Sequence, residues 1–466
     1  MKQDRFTLHR LTAGVALTCL LGATAGAEVR LPHVLSDHMM LQREMPIRIW
    51  GWANPGEDVT VTLNEHQAST STGDDEAWEV LLPEMDAGGP YDLTVAGANA
   101  LTVSNVLIGE LWMCSGQSNM ELGLVSTRDH DADKATADYA NIRLLTLRGN
   151  EVDEPQDDVD VNWVACSPRT VSYFSAVAYY FGRELHEELE VPVGLIMSAV
   201  SGTRIEPWTP AAGVKVVPEL AGIDEPKDGK LYNKMIHPFT PLVIRGVIWY
   251  QGEGNVGDGM LYYHRMRALI HGWRKAWSRS DMPFYYVQIA PLNWGGKPKT
   301  QHAEIWEAQT AALGIPHTGM VVTSDIGNPG NAHPKNKKDV GKRLARCALA
   351  KTFGRDDIVC SSPIYRSMAV EGNKIRITFD HAETGLLSRD GKPLTWFTIA
   401  GDDKKFVAAQ AEIVPPEKSQ GGDWSILVWS DTVEAPVAVR FAWHQIAEPN
   451  LMNGAGLPAP AFRTDK

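Results

Sequence analysis

The sequence predicts an α/β protein: a parallel sheet between helices, flanked on both sides by β-rich segments. Three observations predict it. Residues 105–354 alternate strand-like and helix-like runs, the signature of repeated β-α units. Residues 28–104 place apolar side chains at every second position in short runs, the period of a half-buried strand. The same alternation returns from residue 355 to the end. The expected division is therefore a leader at 1–27, a β-sandwich-like domain at 28–104, an α/β domain at 105–354 and a second β-domain at 355–466.

The leader comes first. Lys2, Arg5 and Arg10 precede an apolar run from Leu11 to Leu21, and Ala25-Gly26-Ala27 follows. A basic start, a short apolar run and an A-x-A site make a secretory signal, cleaved near Ala27. The run is too short to span a bilayer, and no later stretch is long and apolar enough to do so. The expected location is secreted or periplasmic. The chain of 466 residues carries a net charge of −13, and loss of three basic residues and one acidic residue with the leader makes it −15. A body this acidic does not favour nucleic acid or an anionic membrane. Of five cysteines, Cys19 leaves with the leader, and Cys347 and Cys360 are close enough in sequence to pair, with buried free thiols as the alternative. No C-x-x-C or H-E-x-x-H spacing occurs, so neither a metal nor another cofactor is expected. The oligomeric state is not encoded in any pattern here.

In the first β segment, runs at 47–50, 59–63, 91–95 and 101–103 are punctuated by Asn54-Pro55-Gly56 and Gly88-Gly89-Pro90. The α/β segment opens with a buried strand from Val106 to Cys114, which stops abruptly in Ser115-Gly116-Gln117-Ser118-Asn119. Small and polar residues after a buried strand mark a strand-to-helix turn, where a serine hydroxyl sits at the carboxyl edge of the sheet. Strands follow at 141–146, 193–200, 246–250, 284–290 and 320–325, and helices at 171–189, 260–277, 303–313 and 336–351. The acidic stretch 151–160 reads as a solvated loop. In the last segment the clearest strands are 374–379, 425–429 and 437–441.

Four strands of the α/β segment end in polar loops. They carry Ser118, Ser201-Gly202-Thr203, Gln251-Gly252-Glu253-Gly254-Asn255, and Asp325 with His333 close behind. In a parallel sheet these ends share one edge, where ligands bind. Serine, a glycine amide, an amide side chain and a histidine are the parts needed for acyl transfer. Taken singly, Ser118 and Asn255 could be helix caps, Gly202 a turn glycine and His333 a surface residue.

The blocks Gly116-Gln117-Ser118-Asn119-Met120, Gly202-Thr203, Tyr250-Gln251-Gly252-Glu253-Gly254-Asn255 and His333-Pro334-Lys335-Asn336-Lys337 resemble those of sialate O-acetylesterases, carbohydrate esterases of the SGNH hydrolase superfamily. The resemblance runs from about Leu31 to Leu451. It implies a flavodoxin-like three-layer catalytic domain and removal of acetyl groups from an O-acetylated carbohydrate through an acetyl-enzyme. It also implies Ser118 as nucleophile, Gly202 and Asn255 as oxyanion donors and His333 as base. The superfamily carries an Asp three residues before the base, and here that position is Gly330. The residue orienting His333 is therefore expected to be Asp325, with Glu253 or a backbone carbonyl as alternatives. The stretch from Trp208 to Leu231 is shorter than in larger members, which leaves the sugar open between sialic acid and hemicelluloses such as xylan or xyloglucan. Trp112, Trp208, Trp249 and Tyr250 flank the motif loops, and at most one or two of them are expected to touch a sugar.

Two other classes compete. Gly252-Glu253-Gly254-Asn255-Val256-Gly257 matches the G-x-G-x-x-G of nicotinamide enzymes, but the next strand ends Ile289-Ala290-Pro291-Leu292-Asn293 with no acid for the ribose. A non-catalytic sugar-binding protein would suit two β-domains and 15 tryptophans, yet has no use for Ser118 and His333 on one edge.

Overall fold

The structure is a computed structural model that describes Met1 and residues 28–296, 299–416 and 423–465. The expected leader lies outside the described residues. The organising element is strand β1, Ala100–Gly116. Its second half is buried without a break, because both faces are covered by helices and loops. Around it lie β2 (Tyr139–Leu147), β3 (Trp163–Cys166), β4 (Val193–Ala199), β5 (Gly246–Tyr250), β6 (Phe284–Val287) and β7 (Thr318–Val321). The order across the sheet is β7-β6-β5-β1-β4-β2-β3. All neighbours are parallel except β3, which runs antiparallel to β2. The strands β4-β1-β5-β6-β7 follow the doubly wound order 2-1-3-4-5, with β2 and β3 added outside β4.

The helices that matter for the site are the single turn α1 (Ser118–Glu121), α2 (Ala176–Leu189), α3 (Leu261–Ala276), α4 (Gln301–Ala311) and α5 (Lys337–Lys351), besides short ones at His130–Ala135 and Ala211–Val214. Helix α2 starts five residues later than the periodicity predicts. Ser175 caps it by accepting from the Ala178 amide at 3.1 Å, so residues 171–174 belong to the preceding turn. Strands β6 and β7 are shorter than predicted, since the apolar runs continue past the point where ladder pairing stops.

The first half of β1 belongs to another sheet. It pairs antiparallel with Gly88–Ala96, which pairs with Asp58–Leu63 and through it with His66–Ser71. Met40–Gln42 lies parallel to the middle of β1. One continuous strand thus runs through the position expected to divide residues 28–104 from the α/β segment. The C-terminal part forms two four-stranded antiparallel sheets and a two-stranded ribbon.

The core is aromatic. Trp112 of β1 stacks on Tyr285 of β6 and meets Phe181 of α2 edge-on. Trp112, Trp208 and Trp249 are 0% exposed and Tyr250 is 1% exposed, so all four are core side chains and none is presented to a sugar. Among the described residues Cys114, Cys166, Cys347 and Cys360 form no disulfide, so the expected Cys347–Cys360 pairing gives way to free thiols. Among the described residues no helix is long and apolar enough to cross a membrane.

Candidate active site

Parallel register brings Ala199, Gly116 and Tyr250 level at the carboxyl ends of β4, β1 and β5. Gly116 is required there. Its φ is +141°, and a Cβ would meet the Tyr250 carbonyl oxygen at 2.2 Å. The Gln117 amide donates to that carbonyl at 3.0 Å, and Met120 and Glu121 donate back to Gln117 O at 2.8 and 3.0 Å. The chain therefore turns at once from strand to helix, with Ser118 at the first helical position and almost fully buried.

His333 comes from the loop between β7 and α5. Its Nε2 lies 2.9 Å from Ser118 Oγ, across 215 residues of chain. Asn331 Oδ1 accepts from the His333 amide at 2.9 Å, which shapes the loop locally. Burial, then the charge of Lys337, holds the imidazole below its ordinary value, so it is neutral and able to accept a proton. Its Nδ1 has no hydrogen-bond partner among the described residues.

Gly202 follows β4 in a left-handed turn, φ +75°, with open space where a Cβ would project. Its N–H has no partner among the described residues, and neither has that of Ser118 at the start of α1. Glu121 Oε2 fixes the turn by accepting from the Ser201 amide at 2.9 Å and hydroxyl at 2.5 Å. Backbone amides without partners are the type of donor that a developing oxyanion requires.

Two expected members are placed differently. Asn255 is buried, and both hydrogens of its amide are used: Nδ2 donates to Glu206 Oε2 at 3.0 Å and Asp258 Oδ2 at 2.8 Å. Its Oδ1 accepts from the Ile205 amide and from Gln251 Nε2. Asn255 thus ties the loop after β5 to the loop after β4 and keeps no N–H for an oxyanion. Asp325 does not reach His333. Both its oxygens are taken by Arg343 of α5, at 2.8 and 2.6 Å, in a pair whose side chains are 6% and 12% exposed. That ion pair outcompetes a reach back across its own loop, and the expectation for Asp325 is corrected accordingly. Glu253 also stays off His333: its Oε1 accepts from Asn119 Nδ2 at 2.7 Å, and burial pushes its carboxyl up.

Sequence reasoning passed over Asn119 and Lys337, although both stand inside the quoted motif blocks. The available signal was polar residues where the pattern asks for burial: Asn119 is 1% exposed and Lys337 2%. Among the described residues no group of three or more His, Cys, Asp or Glu is arranged to hold a metal ion.

Residues 108–350 match the family model described as carbohydrate esterase, sialic acid-specific acetylesterase. That span covers more than half of the chain. The chain belongs to this family. It is a carboxylic ester hydrolase. A carbohydrate acetylesterase from Xanthomonas citri of known crystal structure superposes with a TM-score of 0.87 at 36% identity, covering 94% of this chain and 100% of that one. The sialate O-acetylesterase of Homo sapiens is 28% identical over 508 residues, 97% of this chain and 96% of the relative. That of Mus musculus is 28% identical over 495 residues, 90% of each. Membership in a carbohydrate esterase family leaves neither the nicotinamide reading nor the binding-protein reading a place.

Proposed function

We propose that this family member is a serine esterase that removes O-acetyl groups from carbohydrates through an acetyl-enzyme. The observation that carries the reading is the 2.9 Å contact between Ser118 Oγ and His333 Nε2 at the carboxyl edge of a parallel sheet. Ser118 Oγ attacks the acetyl carbonyl carbon while His333 Nε2 takes its proton. The oxyanion is met by the amides of Gly202 and Ser118. The C–O bond to the sugar then breaks, and His333 returns the proton to the departing hydroxyl. Water, deprotonated by His333, attacks the acetyl carbon; the bond to Ser118 Oγ breaks, acetate leaves and His333 returns the proton to Ser118 Oγ. With Asp325 on Arg343 and Nδ1 without a partner among the described residues, the machinery is a Ser–His dyad held by its loop. The 2-1-3-4-5 strand order supports an SGNH-type, flavodoxin-like domain, and the flanking antiparallel sheets support β-sandwich-like companions. A secreted or periplasmic location with cleavage near Ala27 fits a polysaccharide or glycoprotein substrate.

The sialate O-acetylesterases among the relatives favour an O-acetyl sialoside. A second substrate reading, acetylated hemicellulose such as xylan or xyloglucan, is favoured by the higher identity to the Xanthomonas citri carbohydrate acetylesterase. Acetate release measured over O-acetyl sialosides and acetylated polysaccharides separates the two. Ser118→Ala is expected to abolish release while the protein remains folded. Turnover at the wild-type rate in that variant rejects the serine mechanism.

A further inference from the structure

Behind Ser118 and His333 lies a polar cluster that the reaction above does not use. Asn119 stands next to the nucleophile. Its Nδ2 donates to Glu253 Oε1 at 2.7 Å and to the Ala332 carbonyl at 3.0 Å, one residue before His333. Its Oδ1 accepts from Lys337 Nζ at 2.5 Å. Lys337 is the first residue of α5, almost wholly buried, with Nζ 5.3 Å from the centre of the Tyr250 ring.

Lys337 is costly where it stands. A cation at a helix N-terminus opposes the helix dipole. A buried ammonium is expensive unless it is paired. Its hydrogen-bond partner is a neutral amide oxygen, and the nearby carboxylate, Glu253, is reached only through Asn119. Burial brings the ammonium down to about 7, against the opposing pull of Glu253. Glu253 Oε2 is itself buried with no partner among the described residues. A chain that needed only a stable helix start would do better with an apolar side chain here.

We propose that Lys337 is a positioning residue for the esterase reaction: through Asn119, its Nζ donor fixes the loop that presents His333 to Ser118. The proposal rests on the serine mechanism above. Its chemistry is directional. An amide side chain has a donor end and an acceptor end of nearly the same shape, and its partners decide which way it points. Lys337 Nζ donates to Oδ1 of Asn119, and this contact sets which end of the amide faces it. The NH2 group then faces two acceptors, the Glu253 carboxylate and the Ala332 carbonyl. Without the ammonium the amide can reverse and set its oxygen against the Ala332 oxygen, which releases the loop. The groups facing Lys337 are Asn119 of α1, with Tyr250 and Glu253 at the end of β5; those facing His333 are Ser118 and Lys337.

The test uses the full chain, 4-nitrophenyl acetate, and two variants whose folding is checked by thermal unfolding. Lys337→Met removes the donor and the charge. It is expected to lower kcat by about tenfold to a hundredfold, the effect of a sub-ångström to ångström displacement of a catalytic group, with little change in KM. Its acid limb in kcat/KM is expected to move to higher pH, because a charge that disfavours imidazolium is gone. Lys337→Gln keeps a donor without the charge. It is expected to recover part of kcat while retaining the shifted limb, a split that a merely structural role does not produce. A folded Lys337→Met with wild-type kcat and wild-type limb overturns the proposal. If that variant does not fold, Lys337→Gln with both quantities unchanged overturns it. Ser118→Ala turnover at the wild-type rate instead rejects the underlying mechanism, whatever the Lys337 variants do.

Discussion

In the proposed mechanism, the ionisation of His333 sets when the site works. Burial and the Lys337 charge both lower its affinity for a proton, so as pH falls the neutral base persists to below the ordinary 6.5. The acid limb of kcat/KM for acetate release is therefore expected below pH 6.5, and a limb above pH 7 would count against His333 as the base. Asp325 gives the opposite kind of prediction. Asp325→Asn weakens a mostly buried bidentate pair with Arg343 and is expected to cost about 1–3 kcal/mol of stability. Its kcat per folded molecule is expected to stay near wild type, whereas loss of a triad carboxylate lowers it by about 10⁴-fold. Denaturant unfolding alongside steady-state rates decides between these. The meeting of Ser118 and His333 was legible from motif blocks, because each stands in a loop that follows a strand of the parallel sheet. Asn255 and Asp325 were not, because their roles were decided by competitors remote in sequence or on another element: Glu206 for one, Arg343 for the other.

At the scale of elements, two glycines on the same edge behave differently for stated reasons. Gly116 brings the ends of β1 and β5 together, and an added methyl would overlap the Tyr250 carbonyl. Gly116→Ala is expected to cost about 3 kcal/mol and to depress kcat as well, since Ser118 is two residues away. Gly202→Ala has room for its methyl and has only the positive φ to overcome, at about 1–2 kcal/mol. Thermal unfolding of the two variants is expected to rank them in that order, and the reverse ranking would contradict the packing described here. The elements themselves were largely visible in the sequence. The run predicted at 246–250 is β5 to the residue, because it is apolar on both faces and bounded by polar loops. Ends were less visible. The start of α2 was set by the Ser175 cap rather than by periodicity, and the lengths of β6 and β7 by where a neighbour's backbone stops.

On the scale of the whole molecule, β1 is shared property. The composition change near residue 104 suggested a boundary, because alternation gives way to continuous apolar burial. That change marks where one strand passes from a half-exposed sheet into a sheet covered on both faces, and such continuity leaves no trace in local patterning. The seam is also ionic. Glu110, in the middle of β1 and 0% exposed, accepts from Arg43 Nε at 2.6 Å and from Arg245 Nε at 2.7 Å and Nη2 at 2.9 Å. Arg43 follows the strand Met40–Gln42, and Arg245 leads into β5, so one carboxylate joins the N-terminal segment to the catalytic sheet. Gln42 adds a hydrogen bond from the Leu111 amide at 2.9 Å. A chain beginning at residue 105 would lose Arg43, Gln42 and the antiparallel partner of β1 together. It would leave Glu110 with only Arg245 and a bare strand edge along the top of the sheet. Such a chain is expected to be insoluble or inactive, and Glu110→Ala in the full chain to lower stability by about 3–5 kcal/mol, the cost of breaking a buried ionic group from one side. A truncated chain that is soluble, unfolds cooperatively and retains wild-type kcat would show that the N-terminal segment is an independent module, and that the shared strand is a matter of geometry without energetic consequence.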